Sequence, residues 1–226
     1  KKAVVYYLEA LKMYEKMGET SQIGKCYSGL GTLYRKNRKF EDAREYLKKA
    51  LEVFERKKNK ASLAKANNEL GLLHFDLQDY PAALKYYETS LKLKAELGTT
   101  QNIQATYNNL GQLYYHQDNY AKAQHFYNKS LKMASEVKDT STLAFVHNNL
   151  GHLLSKQKKD AQAIKHYEIG LGLFNKLSNE NLRKKILENL SSAHARLGNY
   201  ETAFKYRKQY SQVQDSLDDS FRRAME

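Results

Sequence analysis

The chain repeats itself every 40 residues. Leu30, Leu70, Leu110, Leu150 and Leu190 stand 40 apart, and Gly31, Gly71, Gly111 and Gly151 follow them, with Ser191 in the fifth copy. Twelve residues further on come Ala43, Ala83, Ala123, Ala163 and Ala203. Three residues before the Ala stands an aromatic (Phe40, Tyr80, Tyr120, Tyr200), except in the fourth copy, which has Asp160. Leu51, Leu91, Leu131 and Leu171 extend the pattern, and Tyr6, Tyr7, Ala10 and Leu11 match Tyr46, Leu47, Ala50 and Leu51. Residues 1–17 therefore read as the second half of an earlier copy. A register kept over five copies marks a stacked architecture, in which no unit buries its apolar face alone and neighbours build the core together.

Each copy reads as two helices. Ile103, Tyr107, Leu110, Gly111 and Tyr114 recur at helical spacing, as do Tyr120, Ala123, Phe126, Tyr127, Ser130, Leu131 and Ala134. Only Asp118-Asn119 separates the two runs, a short polar turn suited to an antiparallel pair. Pro81 falls in a first turn, where the missing N–H is harmless, and Gly98 and Gly198 fall just past helix ends. Gly and Ala at the repeating positions let two helices cross closely while the aromatics fill the space beside the crossing. With one Pro and 11 Gly in 226 residues, the chain lacks the punctuation of a many-turned β fold. The expectation is an all-α chain with one leading helix, five helix pairs and a charged tail from about residue 212.

The order Leu110, Gly111, Tyr114, Tyr120, Ala123, Tyr127 and Leu131, with its equivalents 40 residues either way, resembles the tetratricopeptide repeat (TPR). The usual period of that family is about 34 residues; the longer unit, with Asn-Asn-Leu-Gly or Asn-Glu-Leu-Gly recurring at 67–71, 108–111 and 148–151, is similar to kinesin light chains, Pins-type regulators and TPR segments of bacterial signalling proteins. The resemblance implies a right-handed α-α superhelix, a TPR solenoid of about eleven antiparallel helices. It would form a single domain over residues 1–217, with 1–17 as a half repeat and copies at about 21–59, 60–99, 100–139, 140–179 and 180–217. Residues 218–226 would be a tail or the start of a linker. The first residue is Lys1 and no charged-then-apolar leader follows, so the chain reads as a segment of a longer protein.

The resemblance further implies that the first helix of each pair lines a concave groove, with exposed positions six, three and two residues before the Gly and one after it. On these positions stand Lys65, Asn68, Asn108, Asn109, Gln112, Asn148, Asn149, His152, Lys185 and Asn189, with Tyr115 nearby. An amide offers both donors and an acceptor, so a column of Asn and Gln can pair with the backbone of an extended peptide whatever its sequence. Aromatic and lysine neighbours such as Tyr115, Phe145, Lys65 and Lys185 would then select side chains. The other reading is that these amides satisfy neighbouring backbone or cap turns. The carboxylate clamp of chaperone-binding TPR domains is not matched, because the position three before the Gly is never Lys or Arg.

Little supports chemistry. The histidines (74, 116, 125, 147, 152, 166, 194) include no pair four apart with an intervening Glu of the kind a helical zinc site uses, and His152 alone falls in a groove column. The rest read as packed or solvated, and Cys26, the single cysteine, as a small buried hydrophobe. No phosphate-cradling loop, nucleophile elbow or carboxylate pair is present. The expected protein is not an enzyme and needs no cofactor or metal. No apolar run reaches the roughly 20 residues of a membrane span. The cytoplasm is favoured and the periplasm is the alternative if the segment belongs to a bacterial sensor.

The net charge of 38 − 25 = +13 comes from clusters such as Arg56-Lys57-Lys58 and Arg183-Lys184-Lys185 that recur in no fixed column. Solvated surface is the first reading, an acidic protein partner or an anionic surface the second. Specific nucleic-acid binding, which would place base-reading groups regularly along the repeats, is the last. Together these features describe a scaffold binding a protein or peptide in its groove, as a sensory or regulatory segment of a larger signalling protein. A sensor region of a bacterial histidine kinase or transcription regulator is the alternative, as is a peptide receptor like the Rap-type proteins. Missing flanking helices leave the ends open to self-association. The fourth copy, with Asp160 for the aromatic and with Gly170 and Gly172 in its second helix, is expected to be the weakest.

Overall fold

In the computed structural model, which describes residues 2–99, 102–177 and 179–223, the chain folds as helices throughout. They are α1 (Lys2–Met17), α2 (Thr20–Lys36), α3 (Phe40–Arg56), α4 (Lys60–Asp76), α5 (Tyr80–Glu96), α6 (Ile103–His116), α7 (Tyr120–Glu136), α8 (Thr140–Lys156), α9 (Asp160–Leu177), α10 (Glu180–Arg196) and α11 (Tyr200–Arg223). Among the described residues there is no strand, and no helix is long and apolar enough to cross a membrane. The helices gather into two compact units, residues 1–113 and 114–226, with the boundary inside α6.

Nearly every helix ends in the same way. Residues 18, 38, 58, 78, 98, 118, 138, 158 and 198 all have positive φ, although only Gly18, Gly98 and Gly198 are glycines. At each, two backbone bonds close the end: Arg38 N–H donates to Arg35 O at 2.9 Å and Lys39 N–H to Tyr34 O at 2.9 Å, and the pattern recurs at Lys58-Asn59, Gln78-Asp79, Lys138-Asp139 and Lys158-Lys159. This Schellman arrangement satisfies carbonyls that the helix leaves unpaired. The next residue caps the following helix. Asn59, Asp79, Asn119, Asp139 and Asn179 each accept a bond from the backbone N–H three residues on. A helix of 17 residues, its C-cap, a left-handed residue and the N-cap of the next helix thus make a 20-residue step, and two steps make the 40-residue period.

Within unit 1, α2 packs on α3 and α4 on α5, and α3 joins the pairs by packing on α4. Leu30, Leu47, Leu70 and Leu73 are completely buried. Within unit 2, α8 packs on α9 and α10 on α11, around a core containing Ala144, Ala163, Tyr167, Phe174, Ile186 and Leu190. The repeating Gly is where a helix meets the large residue of its partner. An added Cβ would lie 2.5 Å from the Tyr87 ring at Gly71 and 2.4 Å from the Tyr167 ring at Gly151. On the outermost helices Tyr6 of α1 and Tyr200 and Phe204 of α11 remain exposed.

Two expectations are corrected here. The stretch from about 212, expected as a charged tail and after 217 as a linker, continues as helix to Arg223, because α11 keeps its helical spacing with Val213 still buried against the core. Asp160 is not a flaw in the fourth copy. Its carboxylate is buried and accepts from Arg196 Nε at 3.0 Å, Arg196 Nη2 at 2.7 Å and Ser155 Oγ at 3.0 Å, so a forked ion pair across repeats replaces the aromatic.

Candidate functional site

Cavities lie along the first helices of the pairs. In unit 1 a cavity of about 740 Å³ lies among α1, α2 and α4, lined by Tyr7, Lys25, Ser28, Lys36, Lys65 and Glu69 among others. A second, of about 530 Å³, lies between α4 and the start of α6, with Asn68, Lys94 and Ala105 on its wall. The two share Ser62, Lys65 and Glu69. Glu69 is already engaged: its Oε2 accepts from Thr32 Oγ1 at 3.0 Å and lies 3.9 Å from Arg35 Nε. Among the described lining residues four lysines (25, 36, 65 and 94) therefore face a single, occupied carboxylate.

Lys94 is the feature sequence reasoning missed. The equivalent residues are Tyr14, Phe54, Ala134, Phe174 and Gln214, mostly apolar or aromatic, so a core residue is expected there, yet Lys94 exposes only 6% of its surface. Its ammonium donates to Asn102 O at 2.8 Å and Thr106 Oγ1 at 2.9 Å. Thr106 stands in a column otherwise held by Cys26, Ala66, Val146 and Ile186, so a polar residue enters an otherwise apolar column beside a lysine in a mostly apolar one, which was the available signal. Burial lowers the Lys94 pKa to about 8, because a desolvated ammonium gives up its proton more readily. The same bond holds the entry to α6, which starts at Ile103 after a left-handed Asn102 rather than at the periodic position.

The expected amide column is assembled, but its members meet one another. In unit 1 Asn109 Nδ2 donates to Asn68 Oδ1 at 3.2 Å, and Thr106 Oγ1 donates to the same oxygen at 3.1 Å. In unit 2 Asn189 Nδ2 donates to Asn148 Oδ1 at 3.3 Å and reaches His152 Nε2 at 3.1 Å. Residues 41 apart are thus tied across successive first helices. Asn108, expected on the exposed groove face, is a correction: it exposes only 7%, because α6 turns it toward its packing neighbours. Gln112 and Asn149 are half-buried on α6 and α8, outside the cavities, while Lys65 and Lys185 are exposed.

Unit 2 has its own cavity of about 520 Å³, bringing together Tyr115, His152, Ser155, Tyr167, Asn189 and Arg196. His152 is held below the ordinary histidine value first by burial and then by the Lys185 charge. On the helix pair α8–α9, His147 Nδ1 and His166 Nδ1 lie 3.0 Å apart, a contact not anticipated when each was read alone. Burial and then the charge of its neighbour lower His147 to about 4, and burial lowers His166 as well.

Acidification is expected to loosen unit 2. An unfolded histidine binds its proton near 6.5, whereas folded His147 does so only near 4. Between those values the unfolded chain holds more protons, so stability is full above about 6.5 and falls as pH drops toward 4. After discounting for rings that remain half in solvent, the loss is about 1–2 kcal/mol. Hydrogen exchange at pH 7.5 and 5.0, corrected for intrinsic rates, should show protection lost over residues 140–177 and largely restored in His147→Tyr/His166→Tyr. Equal losses in the variant and the parent would contradict this.

The helical hairpins, their glycine contacts and the cavities on the first helices define a repeat protein of the interaction-scaffold class. The sequence profile of the tetratricopeptide repeat matches residues 1–56 and 62–136, more than half of the chain, and the chain belongs to that family. No curated protein matches the sequence. Among solved structures the chain is similar to BtubC (BKLC) from P. vanneervenii, with a TM-score of 0.80, 18% identity and coverage of 96% of this chain and 91% of that one. It is also similar to a STAND protein with a tetratricopeptide repeat sensor from Pyrococcus horikoshii, with a TM-score of 0.77 and 22% identity over 93% of this chain and 33% of that one. A third is aspartyl phosphate phosphatase F from Bacillus subtilis, with a TM-score of 0.72 and 17% identity over 93% and 54%. At these identities the likeness is one of fold, an all-α TPR solenoid. TPR proteins are in general non-catalytic scaffolds that bind other proteins.

Proposed function

We propose that the chain captures an acidic segment of a partner protein along the first helices of unit 1. One observation carries this reading: the paired cavities sharing Lys65 are lined by four lysines, and their one carboxylate is already bonded to Thr32. A buried cation kept at a position that most sister repeats fill with an apolar or aromatic residue lowers stability, and such costs concentrate at working sites. Lys94 would meet a carboxylate deep in the smaller cavity, with Lys25, Lys36 and Lys65 along the rim. The amides of Asn68 and Asn109 would hold the frame. In unit 2, Tyr115, Asn148, His152, Lys185 and Asn189 would form a recognition surface of its own.

A partner-sensing role in a larger protein is favoured by the STAND relative, whose repeat region is described as a sensor and of which this chain spans a third. Such a segment would pass on occupancy of its groove to a neighbouring domain.

Fluorescein-labelled peptides of twelve residues, one rich in Asp and Glu and one of the same residues with Lys in place of the acids, serve as probes. The acidic peptide should bind and the basic one should not. Lys65→Glu/Lys94→Met should weaken binding at least about tenfold, equivalent to about 1.4 kcal/mol, while far-UV circular dichroism shows a folded helical chain. Lys48→Glu/Lys132→Glu, at exposed residues outside the cavities, should change binding little. Equal affinity in the first variant, or indifference to peptide charge, would remove the proposal.

A further inference from the structure

We propose that His147 and His166 form a binding site for a single divalent transition-metal ion of the copper or nickel type. The two columns concerned make the case from the sequence upward. One holds Tyr27, Asn67, Tyr107, His147 and Leu187, the other Tyr46, Tyr86, Phe126, His166 and Tyr206. In the first copy the pair is aromatic, with Tyr27 and Tyr46 rings 6.1 Å apart; in the fourth, both members have become imidazoles and the ring centres close to 5.1 Å. A packing contact has been rebuilt in nitrogen ligands on two rigid helices, α8 and α9.

The distance suits a metal. Nitrogen atoms bound to one ion lie about 2.05 Å from it, and at that radius a separation of 3.0 Å subtends about 94°. Tetragonal Cu(II) and Ni(II), which take imidazole nitrogens at about 90° to one another, accept such an angle. Affinity for a nitrogen site also rises along the series to copper. Both rings are half-buried, so the pair is not sealed from solvent. Among the described residues no group of three His, Cys, Asp or Glu is arranged around a common point, so two protein nitrogens would be completed by water. In the ion-free pair one Nδ1–H donates to the other Nδ1. Binding requires that proton to pass through solvent to Nε2 of the same ring, leaving two Nδ1 lone pairs for the metal and the pair neutral.

This site lies apart from the lysine-lined cavities and is independent of the proposed peptide capture. The chain titrated with NiCl2 and with CuCl2 should bind one ion of either per chain at His147 and His166, copper more tightly. The copper form should show the electron paramagnetic resonance splitting of two equatorial nitrogens. His147→Gln and His166→Gln should each weaken binding at least tenfold, and His147→Tyr/His166→Tyr, which rebuilds the aromatic pair of the first copy, should abolish it while the circular dichroism melt shows a folded chain. His116→Gln/His125→Gln should leave it unchanged. Retention of the same stoichiometry and splitting in the tyrosine variant overturns the proposal, as does absence of one-to-one binding in the parent.

Discussion

Gly151→Ala is expected to cost about 3 kcal/mol, while Gly172→Ala, 21 residues on, gains about 1 kcal/mol. At Gly151 the new Cβ would sit 2.4 Å from Tyr167 Cε1 and 2.6 Å from Cδ1. The Tyr167 ring exposes only 2% and is enclosed by Ala144, Ala163 and Leu190, so it has nowhere to retreat and α8 must separate from α9. At Gly172 nothing lies within 4 Å of an added Cβ, and the backbone is ordinary helix, so alanine brings only its better helix propensity. In a stacked repeat the damage is shared with nearest neighbours. Thermal melts should move in opposite directions for the two variants, by about 2–4 °C per kcal/mol, and exchange protection over residues 140–177 should follow. Gly151→Ala melting with the parent would show that the glycine contact is not what sets the spacing of the pair.

Arg196→Met should lower stability by about 2–3 kcal/mol, below the upper range for a severed buried pair because the guanidinium is half exposed. The loss comes from what stays behind. Asp160 exposes 8% and would keep only Ser155 as a partner for a charge now facing apolar neighbours. Asp160→Tyr should cost less, since it returns the aromatic found at Phe40, Tyr80, Tyr120 and Tyr200 and leaves Arg196 access to water. The pair also fixes a pH response. Arg196, then Ser155, holds the Asp160 carboxyl below the ordinary carboxylate range, so its contribution is present at neutral pH and disappears as pH falls through the folded value. Melts of the two single variants at pH 7 test the asymmetry; equal losses would mean that the ion pair is worth no more than the aromatic it replaced.

The periodic residues made the helices and their pairing legible, because Leu, Gly and Ala at fixed spacing report a close crossing wherever they occur. What they could not report is substitution by pairs. Asp160 looks like a loss until Arg196, in the next copy, is read with it. Lys94 looks like a surface residue until Thr106 is noticed in the facing column, and His147 and His166 each look unremarkable alone. The amide column was legible as a column but not as a set of partners, since Asn68 and Asn109, 41 apart, satisfy each other only once two helices are laid side by side. The left-handed helix ends were hidden for another reason. Arg38, Lys58, Gln78, Lys138 and Lys158 adopt positive φ against their intrinsic preference, because two backbone bonds and the packing on both sides hold them there.

Those recurring ends make the chain interchangeable with itself. Because most of the described joints share one backbone geometry, genetic duplication or excision there has natural cut points one helix apart, and the resulting ends would meet without a designed connector. Removing one helix would reverse the direction of everything downstream; removing two would shorten the stack and preserve it. Variation in copy number by whole hairpins is thus a path open to such a gene with little local damage, limited chiefly by paired substitutions such as Asp160 with Arg196 that bind one particular copy to its neighbour.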